Sequence, residues 1–384
     1  FVFTNEGVYS LQNILNLKSF DKENLKQING IAYRNDEQII VNKPEKIVPN
    51  DRMDLDLPGY AWDLLPFKDR PFDLYRAPMW HAEYDDEKRT PYAALHSSLG
   101  CQFKCSFCMI NLINRNDTEE IGVSSNYSGM RYWSPDFIIN EFKKLIKMGV
   151  KTIRITDEMF LLSPKYYLPL CEKLAELNHD DSLRMWAYSR IDTVKNPKTL
   201  SIVRKAGIKW LCLGIESGDK KVRLEVAKGK FEDVDVKKVI NQVHDADIDV
   251  MANYMFGLPG DDQETIKKTY ELSLELCTSG WNTYPAMALP GSALYKEGIA
   301  NGIQMPESYS GYSFHAYDTV CLPTEKLKPW EILKLRDDAF IDYHINQKFL
   351  DRIKKRFGEK AVKNIKQMSK IKLARKLVEE NFKN

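Results

Sequence analysis

From about residue 92 to residue 289 one pattern recurs six times: a short apolar run, then a segment marked as a capped helix. The runs predict strands at Tyr92–Ser97, Val150–Asp157, Leu183–Ser189, Lys209–Ile215, Val250–Phe256 and Trp281–Leu289. Ser134-Pro135, Ser163-Pro164 and Asn196-Pro197 each place a capping side chain before a proline at the first helical position, where its missing N–H is not needed. Gly149 and Gly207 close two of these helices, and Asp262–Thr278 predicts another that ends at Gly280. Phe137, Ile138, Phe142, Leu145 and Ile146 form one apolar stripe on the first helix. Near-continuous apolar strands are buried on both faces, and intervening helices impose parallel pairing through right-handed crossovers. The expected fold is α/β, a partial parallel (β/α)6 barrel over 92–300, with function gathered where the strands end.

The flanks read differently. Residues 29–91 predict a hairpin, Gly30–Arg34 and Gln38–Asn42 around Asn35-Asp36, followed by a Pro- and Asp-rich linker laid over the surface. Residues 301–384 predict a mainly helical C-terminal extension. Its last part, 348–384, carries 13 Lys or Arg against four acids and reads as a solvated helical face, since no broad apolar face with interfacial aromatics accompanies the charge. The whole chain has a net charge of +2, which gives no electrostatic case for nucleic acid. No apolar run approaches the roughly 18–20 residues of a membrane span, and no signal peptide is visible. The chain opens on Phe1 rather than Met, as a piece of a longer protein would.

Three of the seven cysteines, Cys101, Cys105 and Cys108, fall within eight residues directly after the first strand. At this cysteine content the C-x3-C-x2-C spacing arises by chance in about 0.002 of such chains. The other four (Cys171, Cys212, Cys277, Cys321) are scattered singly and read as small core residues, so the pattern is no disulfide framework and suits a reducing, cytoplasmic setting. Three crowded thiolates repel one another unless a metal neutralises them. Structural zinc takes four ligands, and His96 is the nearby candidate for the fourth. Iron–sulfur clusters also usually take four thiolates, so three leave one iron open to a substrate or cofactor. A non-catalytic iron–sulfur or zinc protein is the alternative.

The C-x3-C-x-aromatic-C run after the first strand of a βα repeat resembles the radical S-adenosylmethionine (SAM) superfamily, from about Asn29 onward and most strongly between Gly100 and Leu294. The resemblance implies a [4Fe–4S] cluster on Cys101, Cys105 and Cys108, whose open iron chelates SAM. One electron then cleaves SAM to methionine and a 5′-deoxyadenosyl radical that acts on an unactivated carbon. It further implies an external electron donor such as flavodoxin or ferredoxin and a small-molecule substrate. Phe107 would lie near the adenine. Asp157 and Glu158, in Asp157-Glu158-Met159-Phe160, would meet the SAM amino group. Arg190, followed by Asp192, suits the methionine carboxylate. Glu216, in Gly214-Ile215-Glu216-Ser217-Gly218, suits the ribose, with Ser217 beside it. Phe256 and Gly257, in Phe256-Gly257-Leu258-Pro259-Gly260, would turn against the adenine. The layout is similar to the cobalamin-dependent branch. Asn5-Glu6-Gly7-Val8-Tyr9-Ser10 looks like the end of a doubly wound cobalamin-binding domain, which makes residues 1–28 its remnant. Gly30–Arg34, Leu57-Pro58, Ala61–Pro66 and Leu289-Pro290-Gly291-Ser292 are typical of the branch. The Asp-x-His-x-x-Gly cobalamin motif is absent from these residues, so cobalamin is implied for the full-length parent. Branch members methylate unreactive carbon or phosphorus, or perform oxidative cyclisation. The tRNA methylthiotransferases resemble the core too, but they carry a C-terminal β-module where this tail reads as helical.

Overall fold

The computed structural model describes residues 1–69, 82–112, 129–194, 196–226 and 231–382. Strand β1 (Val2–Phe3) pairs antiparallel with β2 (Ile31–Asn35), which turns through Asp36 at φ 55° into β3 (Gln38–Val41). The predicted hairpin is present, and β1 adds a third strand too short to read from the sequence. Ile14, Leu25, Ile28, Ile31 and Tyr33 give this unit a small core of its own. Phe1, Val2, Phe20, Ile39 and Val41 remain exposed on it.

Strand β4 (Tyr92–Leu95) begins the barrel, and β5 (Ser98–Gly100) leaves it to pair antiparallel with β6 (Met130–Tyr132). The barrel continues through β7 (Thr152–Ile155), β8 (Arg184–Arg190), β9 (Ile208–Glu216), β10 (Asp249–Phe256) and β11 (Gly280–Pro285). The spatial order is β11-β10-β9-β8-β7-β4 and every neighbouring pair is parallel. This is the open, partial barrel expected from six strand–helix units. The sixth strand is shorter than predicted. Beyond it the Ala286 amide still bonds the Phe256 carbonyl, and the chain then turns through Gly291 into the helix Ala293–Ala300.

Most helix ends follow local chemistry. Ser134 accepts from the Phe137 amide and Asn196 from the Lys198 amide, while Gly149 and Gly207 take φ of 82° and 101°. Ser163 makes no capping hydrogen bond. The helix Gln263–Leu276 closes on Cys277 in the left-handed region, not at Gly280. Gly280 instead starts β11, where a Cβ would lie 2.5 Å from the Met251 side chain. On the helix Pro135–Lys147, Ile138, Phe142 and Leu145 are buried as expected, but Ile146 is 37% exposed and Glu141 is buried.

Glu141 is buried because the linker lies on it: Trp62 Nε1 donates to its carboxylate at 2.9 Å. The linker is therefore not laid loosely over the surface. Ile47, Val48 and Met53 are buried, Trp133 Nε1 donates to the Leu57 carbonyl, and the His96 amide donates to the Tyr60 hydroxyl. Residues 70–81 of the linker lie outside the described residues. A second tie involves Arg131 of β6. It reaches Glu6 Oε1 at 2.8 Å and the Val48 carbonyl at 2.6 Å, and Glu6 accepts from the Val48 amide.

The opposite end of the barrel is filled by aromatic rings. Tyr92 stacks on Trp186, and Trp210 stacks on Phe357, with Cys212 and Met251 in the same cluster. Phe357 ends the helix Gln347–Phe357, so the basic tail has a buried face after all: Phe349, Leu350 and Ile353 pack inward. Its basic groups find partners as well: Arg356 pairs with the Asp249 carboxylate and Arg352 donates to the neutral His244 ring, both at 2.9 Å. Residues 301–328 are irregular apart from a short turn at Tyr309–Tyr312, and helices Pro329–Ile345, Glu359–Met368 and Lys376–Phe382 make up most of the rest. No helix among the described residues is long and apolar enough to cross a membrane.

Candidate active site

The loop after β5 and the ends of β7 to β11 enclose a cavity of about 480 Å³. Cys101, Cys105 and Cys108 all border it as free thiols. The loop that carries them is pinned from both sides: the Ser106 amide bonds the Val226 carbonyl, and the Leu294 amide bonds the Ser106 carbonyl. The Cys108 amide closes a turn onto the Cys105 carbonyl, and the Phe103 amide points at Cys101 Sγ from 3.5 Å. Burial pushes the Cys101 thiol up to about 11 and Cys105 up to about 12, and raises Cys108. Without a cationic centre these thiols stay protonated.

Asp157 is buried and accepts three hydrogen bonds, from the Ser97 amide (2.6 Å), the Ser97 hydroxyl (2.7 Å) and the Ser98 hydroxyl (2.5 Å). Its carboxylate thus fixes the start of the strand that leads into Cys101. Burial raises its pKa even so. Glu158 is different. Its Oε2 is buried without a hydrogen-bond partner at the cavity, and burial first, then Asp157, raises it to about 7. Glu216 borders the same space at φ 65°, also raised to about 7 by burial. It sits beyond a register shift between β9 and β10 and folds back over Gly214, where a Cβ would lie within 2.4 Å of its Oε1. Arg190 is held by Asp192 through two 2.6 Å contacts and clamped between the Phe103 and Phe231 rings.

The three cysteines, Phe107, Asp157, Glu158, Arg190 and Glu216 are therefore brought to one cavity. Ser217, Phe256 and Gly257 are not. The Ser217 hydroxyl contacts Thr269 and accepts from the Asp219 amide. Phe256 is in the main core. Gly257, at φ 81°, donates to Asp261 in a turn packed against Ile332. Among the aromatics, Tyr284 borders the cavity, while Trp281 stacks on Tyr343 and Tyr317 donates to Glu379. Cys212, expected to be core, also borders it. Sequence motifs did not single out Arg154, Tyr188, Asn253 or Phe314, which complete the lining. For the first three the available signal was alternation: Arg154 and Thr156, Tyr188 and Arg190, Asn253 and Met255 point inward two residues apart.

Among the described residues no three metal-ligating side chains converge on a point that would hold a single ion. His96 does not help, since it lies beside Tyr60 and outside the lining. A four-iron cluster asks for something else: each thiolate goes to a different iron, so the donors border a volume instead of surrounding a point. Three thiols along one wall of a cavity fit that donor set.

A family model described as the radical SAM superfamily matches residues 95–273, from β4 to the helix Gln263–Leu276. This part of the chain belongs to the radical SAM superfamily. The radical SAM domain thus contains the cysteine loop and β7 to β10, and the assignment makes the chain an enzyme by class. The chain is 24% identical over 359 residues to an uncharacterised methyltransferase of Pyrococcus horikoshii, covering 91% of this chain and 68% of that protein. It is 22% identical over 327 residues to the anaerobic magnesium-protoporphyrin IX monomethyl ester cyclase of Cereibacter sphaeroides, covering 82% of this chain but 46% of that one. The radical SAM methyltransferase TsrM from Kitasatospora setae, solved with tryptophan and a SAM analogue, shares the fold at a TM-score of 0.53 and 14% identity. That match covers 79% of this chain and 55% of TsrM.

Proposed function

We propose that the barrel mouth binds SAM against a [4Fe–4S] cluster on Cys101, Cys105 and Cys108, and directs a 5′-deoxyadenosyl radical at an unactivated carbon of a small molecule. The observation that carries this is the meeting of three thiols with Glu158, Arg190 and Glu216 in one cavity, from a loop and three strand ends. When bound, such a cluster supplies a free iron site for the methionine end of SAM and the electron that breaks its sulfonium C–S bond. The chain's own residues do the rest. Glu158 presents an unsatisfied carboxylate oxygen to the amino group. Arg190, already oriented by Asp192 and two rings, sets a positive charge beside Cys105 for the carboxylate. Glu216 accepts from the ribose hydroxyls. Phe107, Met255, Met287 and Leu289 make much of the remaining wall apolar, which keeps water from a reactive intermediate.

For the full-length parent, cobalamin-dependent methyl transfer or oxidative cyclisation is the finer reading. The names of the curated relatives support it, as does the exposed apolar surface of residues 1–41, which suits packing against a further domain. The division at 1–28, 29–91, 92–300 and 301–384 is part of the same proposal, as are the cytoplasmic setting and the flavodoxin- or ferredoxin-type donor. Anaerobically reconstituted protein should show an iron–sulfur charge-transfer band and, with a reductant, release 5′-deoxyadenosine. Cys105→Ser should bring both to background. Iron binding with no 5′-deoxyadenosine, or zinc in protein made without air, would reject the proposal. Formation of S-adenosylhomocysteine by the parent would select methyl transfer over cyclisation.

A further inference from the structure

Below the SAM-binding rim the cavity has a second half with its own chemistry. Arg154 projects into it from the middle of β7, half-buried, with its guanidinium 4.9 Å from the Tyr188 ring centre. Among the described residues Arg154 forms no ion pair with any carboxylate, and its Nε is buried without a hydrogen-bond partner. The acids at the cavity are committed elsewhere or belong to the rim: Asp157 holds Ser97 and Ser98, and Glu158 and Glu216 stand at the strand ends. Holding a half-buried cation in a largely apolar cavity without a counter-charge is unfavourable, and a ligand that supplies the charge relieves it. The Tyr188 ring lies against the guanidinium and the Tyr92 side chain interacts with it, but neither is an anion, so a carboxylate could take two of its N–H groups. Tyr188, Tyr284 and Phe314 give flat walls next to it, and Asn253 a polar contact.

The geometry points to a substrate subsite for a small molecule that bears a carboxylate and a flat unsaturated body, with Arg154 as the anion-binding group. This deepens the functional reading above and rests on it for the word substrate; the binding itself does not. The probe pair is 2-naphthoate and neutral 2-naphthamide, titrated calorimetrically into the full chain. The acid should bind at least about tenfold tighter than the amide, which is about 1.4 kcal/mol. Added salt should weaken the acid more than the amide. Arg154→Gln should erase the preference, and Arg154→Lys should keep part of it, which separates lost charge from lost fold. Equal binding of the two probes, no binding at millimolar concentration, or a preference that survives Arg154→Gln overturns the subsite. If the subsite fails while SAM is still cleaved, the reading of the rim stands. If the preference holds and SAM is not cleaved, the anion site stands without it.

Discussion

The two ends of the barrel are built from the same strands and solve opposite problems. At the base, Tyr92, Trp186, Trp210, Met251 and Phe357 fill the space, and the basic groups around them have partners, Arg356 the Asp249 carboxylate and Arg352 the neutral His244 ring. At the mouth the same strands, four to six residues further on, present Arg190, Glu216 and Met255; Asp192 holds Arg190, but the carboxylates are less well provided for. Burial raises the three thiols and lifts two glutamates to about 7, and among the described residues Glu158 Oε2 and Arg154 Nε lack hydrogen-bond partners. The difference shows where stability is stored and where it is given up: a plugged base tolerates a mouth whose polar groups await a ligand.

The comparison breaks most readily at the base. Trp210→Ala should cost about 3–5 kcal/mol in urea unfolding, because a large buried ring leaves a cavity that Phe357 cannot close. SAM cleavage per folded molecule should change little; a selective loss of activity at full stability would mean that the base takes part in the chemistry. At the mouth, Asp157→Asn should cost about 1–3 kcal/mol, since an amide cannot accept all three hydrogen bonds from Ser97 and Ser98. Iron retained per chain after gel filtration should fall with it. If iron content and stability both hold, Asp157 does not position the cysteine loop.

The smallest effect is in pH. Glu158, raised to about 7 by burial, is protonated in the free protein below that value and must lose its proton to accept an ammonium group. SAM affinity should therefore weaken as pH falls from 7.5 to 6, by up to about tenfold per unit. Glu158→Gln should flatten that slope in equilibrium dialysis. A slope unchanged by the substitution would assign the titration to another group.

The barrel and the cysteine loop were legible because each depends on local chemistry: Ser134 and Asn196 cap, Gly149 and Gly207 stop, and thiols at fixed spacing cannot be ordinary core. What escaped depends on partners far away in the chain. Glu141 is buried only because Trp62 covers it, and Cys277 ends its helix before a glycine that β11 needs. Ser217 and Gly257 lie in motifs that look like binding residues, yet their bonds go to Thr269 and Asp261. Arg154 sits inside an apolar strand, and one arginine in such a run carries no sign of the cavity it faces.

The Glu6–Arg131 contact bears on how this enzyme can be dissected. Arg131 belongs to the ribbon that leads into the first cysteine, and its counter-charge comes from Glu6, 125 residues earlier. A gene trimmed to begin at residue 92 would take the Glu6 carboxylate and the Val48 carbonyl away from a buried guanidinium beside the cysteine loop, which should cost stability on the order of 3–5 kcal/mol. The barrel is thus stapled to the residues before it at several points, and this contact is the one that joins residue 6 to the ribbon leading into the cysteine loop.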